Sequence, residues 1–253
     1  MTGADFGWML APAAALAAAC LLLVPLGAQV LARGVVFIDL ALAQVAAVGV
    51  LVMSMRADHT PLWLTSASAA GAALIGAALV WWLARRWPDQ REALIGLVYV
   101  AAASLAVITA GFDPHGKERL AALLAADILW APWPGVALLG GAAALVVAAS
   151  ALGGLRQDAV FYPVFALALS AAVPTIGLYL VFALLIAPAL WTRRGLRLPV
   201  AVLGALCAGG LGLVASWTWD LPSGACVAAA LCLTGLGAVV RRPVAASDRP
   251  PRR

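Results

Sequence analysis

Seven stretches of this sequence are apolar over about the length a helix needs to cross a bilayer, and an eighth is longer still. The seven run from Trp8 to Ala32, Val35 to Met55, Leu62 to Ala84, Ala93 to Gly111, Gly135 to Leu152, Pro199 to Trp217 and Pro222 to Val240; the eighth is Val160 to Leu190. Uninterrupted apolar runs of 18 or more residues mark bilayer-spanning helices. The rest of the chain agrees: 65% of residues are hydrophobic and 11% charged, against about a quarter charged in a soluble domain. The expected fold is all-α, a polytopic integral membrane bundle of about eight transmembrane helices. Residues 1–243 form one membrane domain, and 244–253 (AASDRPPRR after Val244) are a short polar tail expected to be disordered. The opening MTGADF has an acid and no base, the wrong start for a cleaved signal peptide, so the first run is expected to stay.

Val160 to Leu190 is too long for one helix across a core of about 30 Å at about 1.5 Å per residue, and Pro174 and Gly177 interrupt it. The basic residues decide how often it crosses, because Lys and Arg gather on the cytoplasmic side. With two crossings, Arg33, Arg85, Arg86, Arg91, Arg156, Arg193, Arg194, Arg197, Arg241, Arg242, Arg249, Arg252 and Arg253 share one side, leaving Arg56, Lys117 and Arg119 on the other. With one crossing the bias is weaker. Two short helices meeting near Pro174 at the outer side are therefore expected, with the N-terminus outside and the C-terminus cytoplasmic. A break at membrane depth leaves backbone groups unpaired unless protein or a water-filled cavity surrounds them, so it marks either a transport path or a buried proline kink. Between the membrane runs, Lys117 to Trp130 places Leu120, Leu124 and Ile128 at helical spacing and reads as one interfacial amphipathic helix.

The net charge of +5 does not indicate nucleic acid, because the bases sit at helix ends rather than on one face. Cys20, Cys207, Cys226 and Cys232 are scattered through apolar runs without a CxxC pair and read as packing residues. No HExxH, GxSxG or P-loop is present, so neither an enzyme nor an ATPase is expected. The informative residues are polar groups at membrane depth, where a carboxylate costs about 2.5–3.5 kcal/mol at a helix centre. Asp39 lies early in the second run, as an ion-path ligand or as a near-interface carboxylate paired with an arginine or helix end. Gln44 is deeper, suited to contact a passing ion or to bond a neighbouring helix. The two stand about 140° apart on an ideal helix. Asp127 falls on the apolar stripe of the amphipathic segment, facing a vestibule or capping a helix. Asp113, His115 and Glu118 in FDPHGKER are ligand types for a borderline divalent ion near the outer surface. Asp220, ahead of Pro222, reads as a cap or turn residue.

Four ordered stretches carry a family resemblance: PLGAQVLARGVVFIDLALAQVAAVG; EALIGLVYVAAASLAV with DPHGKERLAALLAADILW; VFYPVFALALSAAVPTIGLYLVFALLIAPAL; and WTWDLPSGA. Together they resemble the zinc/manganese-type metal permeases of bacterial ABC transporters from about Pro25 to Val240. The resemblance implies a multi-pass protein of the bacterial plasma membrane that pairs as a homodimer. It also implies two cytoplasmic ABC ATPase subunits, an extracytoplasmic metal-binding protein, and zinc, manganese or ferrous ion as substrate, with no permanently bound cofactor. Alternating access is the implied mode.

Two departures qualify this. The family carries an acid and, four residues on, a histidine in the second helix; here those positions are Leu40 and Gln44, with Asp39 one place earlier. An amide binds zinc less well than imidazole does, so oxygen-preferring manganese suits the position better. The family also has a longer acidic coupling segment, where this chain has only GGLRQDAV, leaving Arg156 and Asp158 to contact an ATPase. The competing readings are an ion-gradient-driven small-solute transporter and a non-transporting membrane partner with a degenerate metal gate.

Overall fold

The computed structural model describes residues 9–35, 37–55 and 61–240. The opening MTGADF, Arg56, the arginines from 241 onward and the 244–253 tail lie outside the described residues. Ten α-helices follow one another: α1 (Leu10–Arg33), α2 (Ile38–Ser54), α3 (Leu62–Arg86), α4 (Arg91–Gly111), α5 (Gly116–Leu124), α6 (Trp133–Ala151), α7 (Asp158–Ile176), α8 (Leu178–Arg193), α9 (Leu198–Trp219) and α10 (Ser223–Val240). No strand occurs among the described residues. Six helices are long and apolar enough to cross a membrane outright, while α2, α8 and α10 are shorter apolar helices.

The helices run alternately between two poles, which a few contacts define. At one pole Arg33 at the end of α1 pairs with Asp158 at the start of α7 at 3.1 Å, and Arg193 at the end of α8 reaches the Leu31 carbonyl at 2.6 Å. The Arg91 guanidinium at the start of α4 lies beside Gly34. At the other pole Arg119 of α5 donates to the Ser54 carbonyl at the end of α2, and Ser223 at the start of α10 donates to Asp127. Sorted this way, Arg33, Arg85, Arg86, Arg91, Arg156, Arg193, Arg194 and Arg197 share the first pole. Among the described residues only Lys117 and Arg119 carry positive charge at the second. Val160 to Leu190 crosses twice: α7 leaves the arginine pole and α8 returns to it.

The turn between them falls at Gly177, the second of the two interrupting residues, three positions after Pro174. Proline 174 is accommodated in the last turn of α7, whereas Gly177 adopts φ 77° and ψ 158°, a conformation that side-chain-bearing residues avoid. Its Cα also abuts the chain at Ala126, where an added Cβ would fall 2.5 Å from the backbone nitrogen. The expected amphipathic helix from Lys117 to Trp130 is likewise shorter than its periodicity suggests. Helix α5 ends at Leu124, Ala125 to Asp127 leave the helical path, and a 3-10 turn occupies Ile128–Trp130. The cause is local: the Asp127 carboxylate accepts the Leu129 N–H at 3.2 Å, starting a new turn where the helix would have continued.

Burial follows the membrane rather than water. Most of α1 and α7 is enclosed, and Leu22, Leu23, Leu26, Phe161 and Phe165 are fully buried. The outer helices α3, α4, α6 and α9 keep large apolar side chains such as Ile75, Leu97, Val107 and Leu211 on the exposed face, which only a lipid solvent makes stable. Helices α1 and α8 touch backbone to backbone, because a Cβ on Gly27 would lie 1.9 Å from the Leu185 carbonyl oxygen. Close approach through small residues is how helices associate when surrounded by lipid.

Candidate functional site

Helix α2 carries the two polar residues singled out by the sequence, and the helical repeat separates them as expected. Gln44 and Leu40, four residues apart, lie on one face and help line a cleft of about 450 Å³ between α2, α4, α5 and α8. Tyr99, Ala103 and Val107 form its α4 wall at four-residue spacing, a rise of about 12 Å. Leu120 and Leu124 of α5 and Leu178, Tyr179 and Phe182 of α8 complete it. Its lining thus spans from α5 to Leu40 in the first turns of α2, past Gln44, which is only 5% exposed. Its polar groups are neutral: one amide and two phenol hydroxyls.

Asp39 does not line this cleft. It sits in the first turn of α2, 1% exposed, and its carboxylate has no partner beyond the backbone N–H groups of Asp39 and Leu40 beside it. Among the described residues no salt bridge reaches it; of the two expected partners, an arginine or a helix end, it has the positive end of the α2 dipole. Buried polar atoms are nearly always satisfied, which makes this carboxylate the most anomalous group in the bundle.

The remaining candidates fall elsewhere. Asp127 is an N-cap, accepting from Leu129 N–H and from the Ser223 hydroxyl, and it ties the α5–α6 connection to α10. His115 is exposed just before α5, with its backbone N–H donating to Asp113 Oδ1 at 3.0 Å. Asp113 is itself engaged by Arg119 at 2.5 Å. Glu118 is exposed. No cluster of three or more His, Cys, Asp or Glu suited to a metal is found among the described residues. Asp220 ends α9 in a left-handed conformation with φ 51°.

At the arginine pole, Gly153 to Gln157 form a tight turn containing the 3-10 segment Gly154–Arg156. Asp158 meets Arg33 there, while Arg156 has an exposed side chain and offers its carbonyl to Arg33 Nη2 at 3.1 Å.

Residues 148–242 match the model of the ABC 3 transport family. The match spans under half of the 253-residue chain, so the likeness to that family is one of its C-terminal part. No curated protein matches it significantly in sequence. Among solved structures it is similar in fold to PsaBC from Streptococcus pneumoniae, determined in complex with Fab: TM-score 0.70 at 16% identity, covering 92% of this chain and 91% of that chain. The matched segment runs from the end of α6 through α10 and so includes the Gly177 turn and the α8 wall of the cleft. The α2 wall, with Asp39 and Gln44, lies outside it.

Three residues that bear on the site were not singled out from the sequence. Tyr99 and Tyr179 stand in quoted motifs, but nothing in their spacing announces a shared cleft, which requires α4 and α8 to meet across α2. Arg33 was counted only as a topological charge. Its signal was its position immediately before Gly34, the left-handed residue that ends α1, since a cation there faces the helix carbonyls and whatever loop packs below.

Proposed function

We propose that this chain is a permease that conducts divalent metal ions, zinc, manganese or ferrous iron, inward across the bacterial plasma membrane, driven by a separate cytoplasmic ABC ATPase dimer. The arginine pole faces the cytoplasm, as the positive-inside rule requires. A second copy of the chain pairs with it, and an extracytoplasmic binding protein delivers the ion to the α5 pole. The observation that carries this reading is the cleft: it lies between α2, α4, α5 and α8, takes in Leu40 and Gln44, and has a buried carboxylate with no side-chain partner on the same helix one position from its wall.

The lining favours passage over tight retention. Neutral oxygen and amide groups suit a hard, partly hydrated ion and offer no imidazole or thiolate to hold zinc. Leu40 and Asp39 differ by one position, about 100° around the helix. Rotation of α2 by that amount replaces Leu40 with Asp39 at the cleft wall, presenting a carboxylate to the ion in one state and withdrawing it in the other. Manganese is the ion this arrangement suits best.

The test is uptake by proteoliposomes containing the permease with its ATPase and binding protein. ATP should drive accumulation of manganese, and Asp39→Ala should lower the rate at least tenfold without loss of assembly. Uptake that continues without ATP and collapses with the ion gradient rejects the ABC reading. Unaltered flux in Asp39→Ala rejects the role given to that carboxylate.

A further inference from the structure

Arg33 is the most heavily engaged side chain at the arginine pole. Its Nε donates to Asp158 Oδ1 at 3.1 Å, and its Nη2 to the carbonyls of Leu155 and Arg156 at 2.8 and 3.1 Å. Nη1 bonds the Gln29 side-chain oxygen at 3.0 Å, and the guanidinium lies over the Phe161 ring at 4.0 Å from its centroid. One residue of α1 therefore holds the whole turn before α7 by three of its acceptors, and a fixed planar fork is what makes this possible.

The hold extends to the cleft through α1. Two residues before Arg33, the Leu31 carbonyl receives Arg193 from the end of α8, and one turn further the Gly27 backbone rests on Leu185 of α8. With both a charged tie and a backbone contact, α1 and α8 are joined as one unit. The other end of α8 supplies Leu178, Tyr179 and Phe182 to the cleft.

We propose that Arg33 is a coupling residue: it transmits displacement of the Gly153–Asp158 turn through α1 and α8 to the cleft wall. The inference rests on the reading of the chain as an ABC permease, because an ATPase is what would displace that turn. It assigns Arg156 and Asp158 a new part. The turn is gripped by its backbone and one carboxylate, leaving the exposed Arg156 side chain turned toward a partner.

The experiment reads cleft geometry rather than cargo. Spin labels are placed on the exposed cleft residues Val107 and Tyr179, 62% and 51% exposed, in a background with the four cysteines replaced. The labelled permease, bound to its ATPase in nanodiscs, is measured by electron–electron resonance with and without a non-hydrolysable ATP analogue. In the parent the nucleotide should shift the interlabel distance by several ångströms. Arg33→Gln should still bind the ATPase and sustain its basal hydrolysis, but should lose most of that shift and at least tenfold in ions moved per ATP. Arg33→Lys, which keeps the charge and loses the fork, should recover only part; Asp158→Asn, which spares both carbonyl contacts, should lose less than either. A full shift in Arg33→Gln overturns the proposal, as does a parent in which nucleotide leaves the distance unchanged. Failure of the parent to bind any P-loop ATPase overturns the ABC reading itself, and the coupling role with it. Equal loss of thermal stability, ATPase binding and distance shift in all three variants would show a structural pin only.

Discussion

Gly27→Ala tests the α1–α8 contact at its tightest point. A Cβ at this position would stand 1.9 Å from the Leu185 carbonyl oxygen, 2.7 Å from its carbonyl carbon and 2.9 Å from its Cα. All three are backbone atoms that no rotamer change can move. Restoring an ordinary contact of about 3.2 Å to that oxygen requires the helices to part by roughly 1.3 Å, loosening the packing along both. Overpacking of this kind costs about 3 kcal/mol, or roughly 6–12 °C in melting temperature for a chain of this size. The matched controls are Gly71→Ala and Gly141→Ala, positions where an added Cβ meets nothing within 4 Å. There, alanine should stabilise by about 0.5–1 kcal/mol through helix propensity alone. Tryptophan fluorescence melting of the detergent-solubilised protein measures all three. The opposite signs are the point: if Gly27→Ala melts with or above its controls, α1 and α8 do not approach as described, and the path from Arg33 to the cleft fails with them.

Three further outcomes follow from the same geometry. Asp39→Leu removes a buried carboxylate with no side-chain partner, so it should raise the melting temperature by the equivalent of about 1–3 kcal/mol even as transport falls; a less stable variant would mean that the carboxylate has such a partner. Gln44→His adds an imidazole to the cleft and should strengthen zinc binding at least tenfold over the parent in competition with manganese, measured by calorimetry. Unchanged zinc affinity would place residue 44 away from the ion. Ser223→Ala leaves the Asp127 carboxylate short of one donor and should cost about 1–2 kcal/mol in thermal melting, with Asp127→Ala costing at least as much because the cap to Leu129 goes too; a neutral pair would deny this link a structural role.

Most of the scaffold was legible because lipid makes simple demands: six helices long enough to span and three shorter apolar ones stand where apolar runs stand, and the arginine count favoured two helices over one for Val160 to Leu190. Details set by contact were not legible. Pro174 is the more conspicuous helix breaker, yet the chain turns at Gly177, because the turn is fixed by a close approach to Ala126 that lies some fifty residues away in sequence. Periodicity carried the amphipathic helix through Asp127, where a local hydrogen bond to Leu129 overrides it. The site was half legible for a similar reason. Helical spacing alone put Asp39 and Gln44 on different faces, but the tyrosines opposite Gln44 and the acceptors around Arg33 depend on which helices are neighbours. That information lies in packing rather than in any one segment.

The α5 pole is built unlike a set of loops. The backbone at Ala126 is caught between two glycines, Gly177 at the α7–α8 turn and Gly224 at the start of α10, each too near it to admit a methyl group, and Asp127 is fastened to Ser223 alongside. Three chain reversals from distant parts of the sequence are thereby keyed into one plate at this pole. Such a plate tilts as a whole or stays still, so under the proposed transport reading admission of an ion from that side is a rigid-body event, and a carrier docking there would need to grip only one of the three reversals to move them all.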